Sequence, residues 1–435
     1  MKIYQSWGRY PAFKPHQILR PHWRDEITLS QFEEYLCYGL GRSYGDSCLT
    51  TNGTLIDTTA LSKILHFNNE TGLIRCEAGV SIADILREYM PRGWFVPVTP
   101  GTKFVTIGGA IANDIHGKNH HRAGNFGNHI TQFELLRSTG ERLLCSPVEN
   151  PELFSATIGG LGLTGMITWA EFTMKKITSP MIEGENIKFG NIDEFLAISA
   201  ESDSKFEYSV AWVDCVSSGR KLGRGIFTQG NHKQAENADF RNFSKQIPFP
   251  VEAPNIMLNS LTIKTFNLLY FNKQIPKIQQ ADINFDPFFY PLDKILDWNK
   301  MYGKRGFLQY QMVIPFENGR EVLGEILSKI AATREGSFLA VLKTFGNIPA
   351  VGMMSFPRPG ITLALDFGFN GDRTLKLLEH LDALVRECGG AVYPAKDARM
   401  SHESFIQYFP KYNEFARFID PHFSSDFWRR VTAST

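Results

Sequence analysis

Apolar and polar positions along the chain change their period several times. Leu73 to Ala78 reads as a strand that ends at Gly79. Ser81 follows as an N-cap, with Asp84 three residues on as its capping-box partner. Ile82, Ile85, Leu86 and Tyr89 then recur at i, i+3, i+4 and i+7, the apolar stripe of a short helix that Pro91 and Gly93 stop. From Met166 to Met174, Met166, Thr168, Ala170, Phe172 and Met174 alternate with Ile167, Trp169, Glu171 and Thr173, which predicts a strand covered at least partly on both faces. Thr374 to Cys388 predicts a further helix, with Leu375, Leu378, Leu381, Leu384 and Val385 on one side and Gly389-Gly390 as its stop. Strands and helices mixed without regular β-α alternation point to an α+β fold. Glycines cluster between Gly39 and Gly165 and the loops change character after 180, so a boundary is expected near 178–184, at Ser179-Pro180.

Length and charge narrow the function. A chain of 435 residues suits two or three domains at about 100–200 residues each. Basic and acidic residues number 46 and 45, a net charge of +1, so no broad field favours duplex nucleic acid and no nucleic-acid partner is expected. A hydrophobic share of 43% excludes a disordered chain, and 34 Phe imply large apolar cores or a long apolar pocket. The N-terminus shows no apolar signal-peptide region, and no run approaches the roughly 20 apolar residues of a membrane span. The expected location is cytoplasmic, with any membrane contact peripheral. Six scattered Cys without C-x-x-C fit a reduced compartment and small buried side chains.

Three glycine clusters carry the candidate chemistry. Gly160-Leu161-Gly162-Leu163-Thr164-Gly165 satisfies G-x-G-x-x-G but precedes a strand, whereas a dinucleotide turn must open a helix. Gly39 to Ser47 alternates Gly with Arg42, Ser43 and Tyr44, a pattern that can turn successive backbone N–H groups into an anion nest or form a tight surface loop. Pro100-Gly101-Thr102 and Thr106 to Asn119 strip away side-chain bulk at Gly108-Gly109-Ala110, allowing close approach by something flat or phosphorylated. His116, His120 and His121 lack a Cys or Glu partner and make a poor tetrahedral metal site, so none is expected; a His hydrogen-bonding beside a cofactor fits better.

Together, G-R-S-Y-G-D, P-G-T-x₄-I-G-G-A-I-A-N-D-I-H-G-K-N-H-H and G-G-x-G-L-T-G resemble the FAD domain of the vanillyl-alcohol-oxidase-like flavoproteins, in the branch acting on polyprenyl-phosphoryl sugars. The resemblance continues through Ser209 to Asp214, Lys221 to Arg224, Phe307 to Gln311, Ser355 to Pro357 and Ala395 to Arg399. It implies a two-domain, PCMH-type FAD-binding fold. Its FAD domain spans 1–178 and is completed by 391–435; a substrate domain at 179–390 is built on an antiparallel sheet. Cofactor contacts carry over to Leu40, Gly41, Arg42, Ser43, Tyr44, Gly45, Asp46, Gly101, Thr106, Ile107, Gly108, Gly109, Asn113, Asp114, Ile115, His116, Ile167, Tyr393 and Lys396. Substrate contacts carry over to Tyr44, Gln309, Gln311 and Lys343, and Lys396 and His116 are the implied catalytic pair. Many relatives tether flavin through a His in the first loop. Here Arg42, Ser43 and Tyr44 stand there, so FAD is expected to be non-covalent. Without the resemblance, Lys396 reads as an ion-pair partner of Asp397.

The implied function is FAD-dependent oxidation of the 2′-hydroxyl of a polyprenyl-phosphoryl-β-D-ribose to the 2′-keto sugar. A separate NAD(P)H-dependent keto-sugar reductase then completes epimerisation at the membrane surface. An oxidase of a soluble sugar or alditol and a non-catalytic lipid-glycan binding protein are the alternatives. The segments around Phe266–Phe271 and Phe285–Tyr290 are the expected lipid-facing region, though any single Phe equally suits the core. Two departures stand out. Ala364 replaces the Cys that faces the flavin in well-known relatives, and Phe289-Tyr290-Pro291 replaces Tyr-His-Pro, which is expected to shift a pocket hydroxyl.

Overall fold

Where local pattern is strong, the computed structural model follows it; it describes residues 2–30, 33–235, 239–240, 245–254, 259–333 and 335–433. Leu73–Glu77 is a strand, and Ser81 caps the helix Ile82–Tyr89. Ser81 Oγ accepts from the Asp84 amide at 3.1 Å, and the Asp84 carboxylate accepts from the Ser81 amide at 3.2 Å. Ile82, Ile85, Leu86 and Tyr89 are all buried, and Gly93, at φ +80°, turns the chain out of the helical end. Met166–Thr173 is a strand. The later helix runs Asp372–Glu387, two residues earlier than expected. Its buried stripe passes through Thr374, Leu377, Leu378, Leu381 and Val385, leaving Leu375 and Leu384 at its flanks.

Among the described residues three sheets have three or more strands, beside two two-stranded ones. A parallel sheet orders Gln17–Leu19, Thr54–Asp57 and Tyr35–Tyr38. An antiparallel one orders Ile64–Phe67, Leu73–Glu77, Met166–Thr173, Ile130–Leu136 and Arg142–Cys145. The third, also antiparallel, has eight strands in the order Ile278–Asn284, Met181–Phe189, Gly225–His232, Tyr208–Val213, Ala340–Phe345, Gly360–Gly368, Phe307–Ile314 and Ala391–Val392. The class is α+β, with the large antiparallel sheet inserted after the glycine-rich loops. The chain leaves that sheet at Val392 and packs back on the N-terminal region: the Tyr35 amide donates to His422 O at 2.7 Å, and Arg430 pairs with Asp46 at 2.7 Å.

Residues of opposite parity on these strands face different environments. Ala211, Val213, Phe227, Leu342, Leu363, Leu365, Tyr310 and Met312 are buried in one core with Phe195, Leu323, Ile326, Leu327 and Leu381 from the covering helices. The register sets Gln311 opposite Ala364, Gln309 opposite Asp366 and Lys343 opposite Thr362, so these share the other face. The expected lipid-facing role of Phe285–Tyr290 does not hold. Phe285, Phe288, Phe289 and Tyr290 lie in a second core with Phe95 and Tyr208, because the short helix Phe285–Phe289 turns its rings inward. Phe266 alone of the two segments' rings is exposed, at 43%.

Candidate active site

The free face of the large sheet and the glycine-rich loops enclose a cavity of about 950 Å³. From the loops it is lined by Leu40, Gly41, Arg42, Ser43, Tyr44, Gly101, Thr106, Gly108, Gly109, Asn113, Ile115 and His116. Ile167, Tyr393 and Lys396 join them, and the sheet adds Gln309, Gln311, Lys343 and Ala364. Four expected cofactor residues do not line it. A Cβ on Gly45 would lie 1.7 Å from Asp397 O, so this residue seats one loop on another. Asp46 is buried in its ion pair with Arg430. Ile107 packs in the core, and Asp114 accepts hydrogen bonds from Ser355 Oγ, Asn125 Nδ2 and the Gly127 amide.

The first loop is clamped from both sides. The Trp7 amide donates to Ser43 O at 2.8 Å, and the Tyr44 amide donates to Ala395 O at 2.8 Å. Arg42 stacks its guanidinium 3.9 Å from the centre of the Trp7 ring, and its buried Nε has no hydrogen-bond partner among the described residues. Thr106 caps the helix Ile107–Ala112, accepting from the Gly109 amide. An added Cβ at Gly101 meets nothing within 4 Å, and at Gly109 only Thr106 Oγ1 at 3.0 Å. Bare backbone and an unpaired guanidinium nitrogen therefore face the cavity, an arrangement that fits the pyrophosphate of FAD. Leu161, Gly162 and Gly165 also line the cavity, so the decoy motif contributes a wall although the strand Met166–Thr173 follows it.

His116 and Lys396 meet the sheet residues here. Gln311 Nε2 donates to His116 Nε2 at 2.8 Å, while buried His116 Nδ1 has no hydrogen-bond partner among the described residues. Burial, then the cations Lys343 and Lys396 and the neighbouring His120, hold His116 well below the usual imidazole range, so the ring is neutral. Lys396 Nζ lies 3.7 Å from the centre of the Tyr44 ring. It is not Asp397's partner: Arg430 holds that carboxylate at 3.0 Å. Burial pushes Lys396 down and Asp366 up, and each charge opposes the other's shift; Gln309 Nε2 also donates to Asp366. Burial, with Lys118 and Lys396 nearby, lowers Lys343 to about 7. His120 and His121 engage backbone groups, Gly346 N at 3.1 Å and Phe206 O at 2.9 Å.

Both departures are placed. Ala364 lines the cavity opposite Gln311. The Tyr290 hydroxyl is buried and bonded at 2.7 Å to Oγ1 of Thr99, and Thr99, Phe289 and Pro291 line the cavity while Tyr290 does not. Trp7, Lys118, Trp212 and Asp366 also line the cavity and were not singled out from the sequence. Only Lys118 carried a local signal, its place two residues after His116.

The fold and this site define an FAD-dependent oxidoreductase, and residues 33–146 match the family model described as an FAD binding domain. The chain is 37% identical over 408 residues to the decaprenylphosphoryl-beta-D-ribose oxidase of Mycolicibacterium smegmatis, covering 90% of this chain and 88% of that one. It is 30% identical over 366 residues to an uncharacterized protein in the mprA 5′ region of Streptomyces coelicolor, covering 79% and 97% of the two chains. Cytokinin dehydrogenase 8 of Oryza sativa subsp. indica is 26% identical over 193 residues, 39% of this chain and 36% of that protein. With such similarity along nearly its whole length, the chain belongs to the decaprenylphosphoryl-beta-D-ribose oxidase family.

Proposed function

We propose that the protein oxidises the 2′-hydroxyl of a polyprenyl-phosphoryl-β-D-ribose to the 2′-keto sugar. The observation that carries this reading is the meeting of His116 and Lys396, from the FAD-side loops, with Gln309, Gln311 and Lys343 on one sheet face. The chemistry FAD supplies when bound is acceptance of a hydride from the sugar carbon. His116, held neutral, takes the hydroxyl proton, the sugar hydroxyl replacing Gln311 as donor to Nε2. Gln309 and Gln311 orient the sugar, and Lys396 offsets negative charge that develops beside it. Arg42, Gly101, Gly108 and Gly109 hold FAD non-covalently. Anaerobic titration with prenyl-phosphoryl ribose and with free alditols tests the activity. Bleaching of the yellow protein by the lipid-linked sugar is expected; bleaching by alditols alone would assign a soluble-substrate oxidase, and none at all a binding protein.

A separate NAD(P)H-dependent reductase completes epimerisation, since reduction must come from the opposite face of the sugar and the chain's G-x-G-x-x-G precedes a strand. Purified protein with substrate and an electron acceptor should stop at the keto sugar; accumulation of the epimer overturns the division of labour. The chain meets the membrane peripherally. Among the described residues no helix is long and apolar enough to cross a membrane. The helix Ser260–Asn272 instead exposes Leu261, Leu268 and Leu269. From 253 to 281 the sequence contains Lys264, Lys273 and Lys277 and no Asp or Glu, which suits an anionic lipid surface.

A further inference from the structure

Lys118 and Lys343 reach the same cavity from different elements, the loop after His116 and the strand Ala340–Phe345. Among the described residues each ammonium finds a backbone carbonyl as its hydrogen-bond partner. Lys118 Nζ donates to Phe289 O at 3.4 Å, and Lys343 Nζ donates to Gly117 O at 3.3 Å. Among the described residues no carboxylate pairs with either. The acidic residues lining the cavity are Asp293, Asp297 and Asp366; the first two act on Arg42 and the third on Lys396. The remaining groups facing the two lysines are no better as counter-charges: His116 and His120 are neutral and Lys396 is a third cation. Two like charges withdrawn from water without a counter-ion form a costly arrangement that an anion relieves.

Beside them the cavity wall becomes aromatic. Trp212, on the same sheet face as Lys343, packs on Tyr270 with ring centres 4.6 Å apart. Tyr270 stacks on Phe266 at 5.8 Å, and Phe266 is the exposed ring on the helix Ser260–Asn272. All three rings line the cavity.

We propose that Lys118 and Lys343 clamp the phosphodiester of the prenyl-phosphoryl sugar, and that Trp212, Tyr270 and Phe266 lead the first prenyl units outward. The assignment rests on the proposed function and adds to it a phosphate site and a direction for the lipid. It places the sugar inward, toward His116 and Lys396, and the chain outward, toward the exposed leucines.

The test is calorimetric titration of the FAD-loaded protein with farnesyl phosphate, farnesol and inorganic phosphate. The parent is compared with Lys118→Met, Lys343→Met and the double variant, with Lys118→Arg as a charge-preserving control. Each Met variant is expected to weaken farnesyl phosphate about 10- to 100-fold, the usual range for losing a charged hydrogen bond. Farnesol binding and FAD retention should stay within about twofold, and Lys118→Arg should keep most of the affinity. Trp212→Ala should weaken farnesyl phosphate and leave inorganic phosphate unchanged. Parent-like farnesyl phosphate binding by the double variant would overturn the clamp. Loss of FAD with that binding retained would assign the lysines to the cofactor's pyrophosphate and overturn it equally. The activity fails separately: lysine-dependent binding without bleaching by prenyl-phosphoryl ribose sinks the oxidation and leaves the phosphate site standing.

Discussion

Lys396 sits where a single charge does most. Its ammonium lies over Tyr44 at the junction of loop and sheet, and Asp366 is the carboxylate that favours its protonated form. Lys396→Ala should therefore slow stopped-flow flavin reduction about 10²- to 10³-fold, as for loss of one preorganised donor, while FAD binding changes far less. A rate within a few-fold of the parent in the FAD-loaded variant would refute the role. Asp57 is a structural counterpart. Its buried carboxylate accepts from Lys2 Nζ, Arg20 Nε, Tyr4 OH and Thr59 Oγ1, and against burial the hydrogen bonds from Lys2, Thr59 and Tyr4 lower it from 3.8 to about 2. A carboxylate depressed in the folded state stabilises it above its unfolded value, and that stabilisation disappears as pH falls from about 4 through about 2. It amounts to on the order of 2 kcal/mol at neutral pH. In urea denaturation, Asp57→Asn should be less stable than the parent at pH 6, and the gap should narrow by pH 3. A constant gap would remove Asp57 from the acid transition.

Among the loops, two glycines look alike in sequence and differ in consequence. Gly45 presses on the 394–397 turn: its added Cβ would meet Asp397 O at 1.7 Å and Asp397 C at 2.5 Å, both backbone atoms. Gly45→Ala should cost about 1–3 kcal/mol of stability, as overpacking does. It should also release FAD during gel filtration, because the same contact sets Lys396 against Tyr44. At Gly101 a Cβ meets nothing within 4 Å. Gly101→Ala should leave the apoprotein's thermal unfolding within the ordinary scatter of surface changes, about 0.5 kcal/mol, yet weaken FAD retention. Equal losses of apoprotein stability would show that both positions serve packing alone.

For the molecule as a whole, we propose units at 1–178 with 391–435 and at 179–390, the cavity lying between their contributions. The exposed leucines of the helix Ser260–Asn272 lie on the helix that carries Tyr270 and Phe266 to this cavity, so the proposed membrane contact and the proposed lipid path share one helix. Replacing Leu261, Leu268 and Leu269 together by Ser should abolish cosedimentation with anionic vesicles while bleaching by a short-chain, soluble substrate continues. Undiminished cosedimentation would place the contact elsewhere. Acid precipitation of the intact protein should release the flavin into the supernatant; colour kept in the washed pellet would contradict non-covalent binding.

The α+β class, the Ser81 cap, the strand at Met166 and the glycine-rich loops were legible along the chain because their causes act within a few residues: a side chain reaching its own helix, a period of two, a backbone without bulk. Gln309, Gln311, Lys343 and Lys396 were legible only through resemblance, since nothing local distinguishes a polar residue facing a cavity from one facing water. Lys118, Trp212 and Asp366 carry no such mark in the sequence, and Gly45, Asp46, Ile107 and Asp114, expected to contact the cofactor, lie outside the cavity's lining. Sequence settled which short segments adopt strand, helix or turn. Tertiary structure decided which of their faces meet, because the strand order sets Ala340–Phe345 between Tyr208–Val213 and Gly360–Gly368. Only that long-range register places Lys343 beside the loop of Lys118, where among the described residues no carboxylate pairs with either charge, a fact no window of neighbouring residues contains.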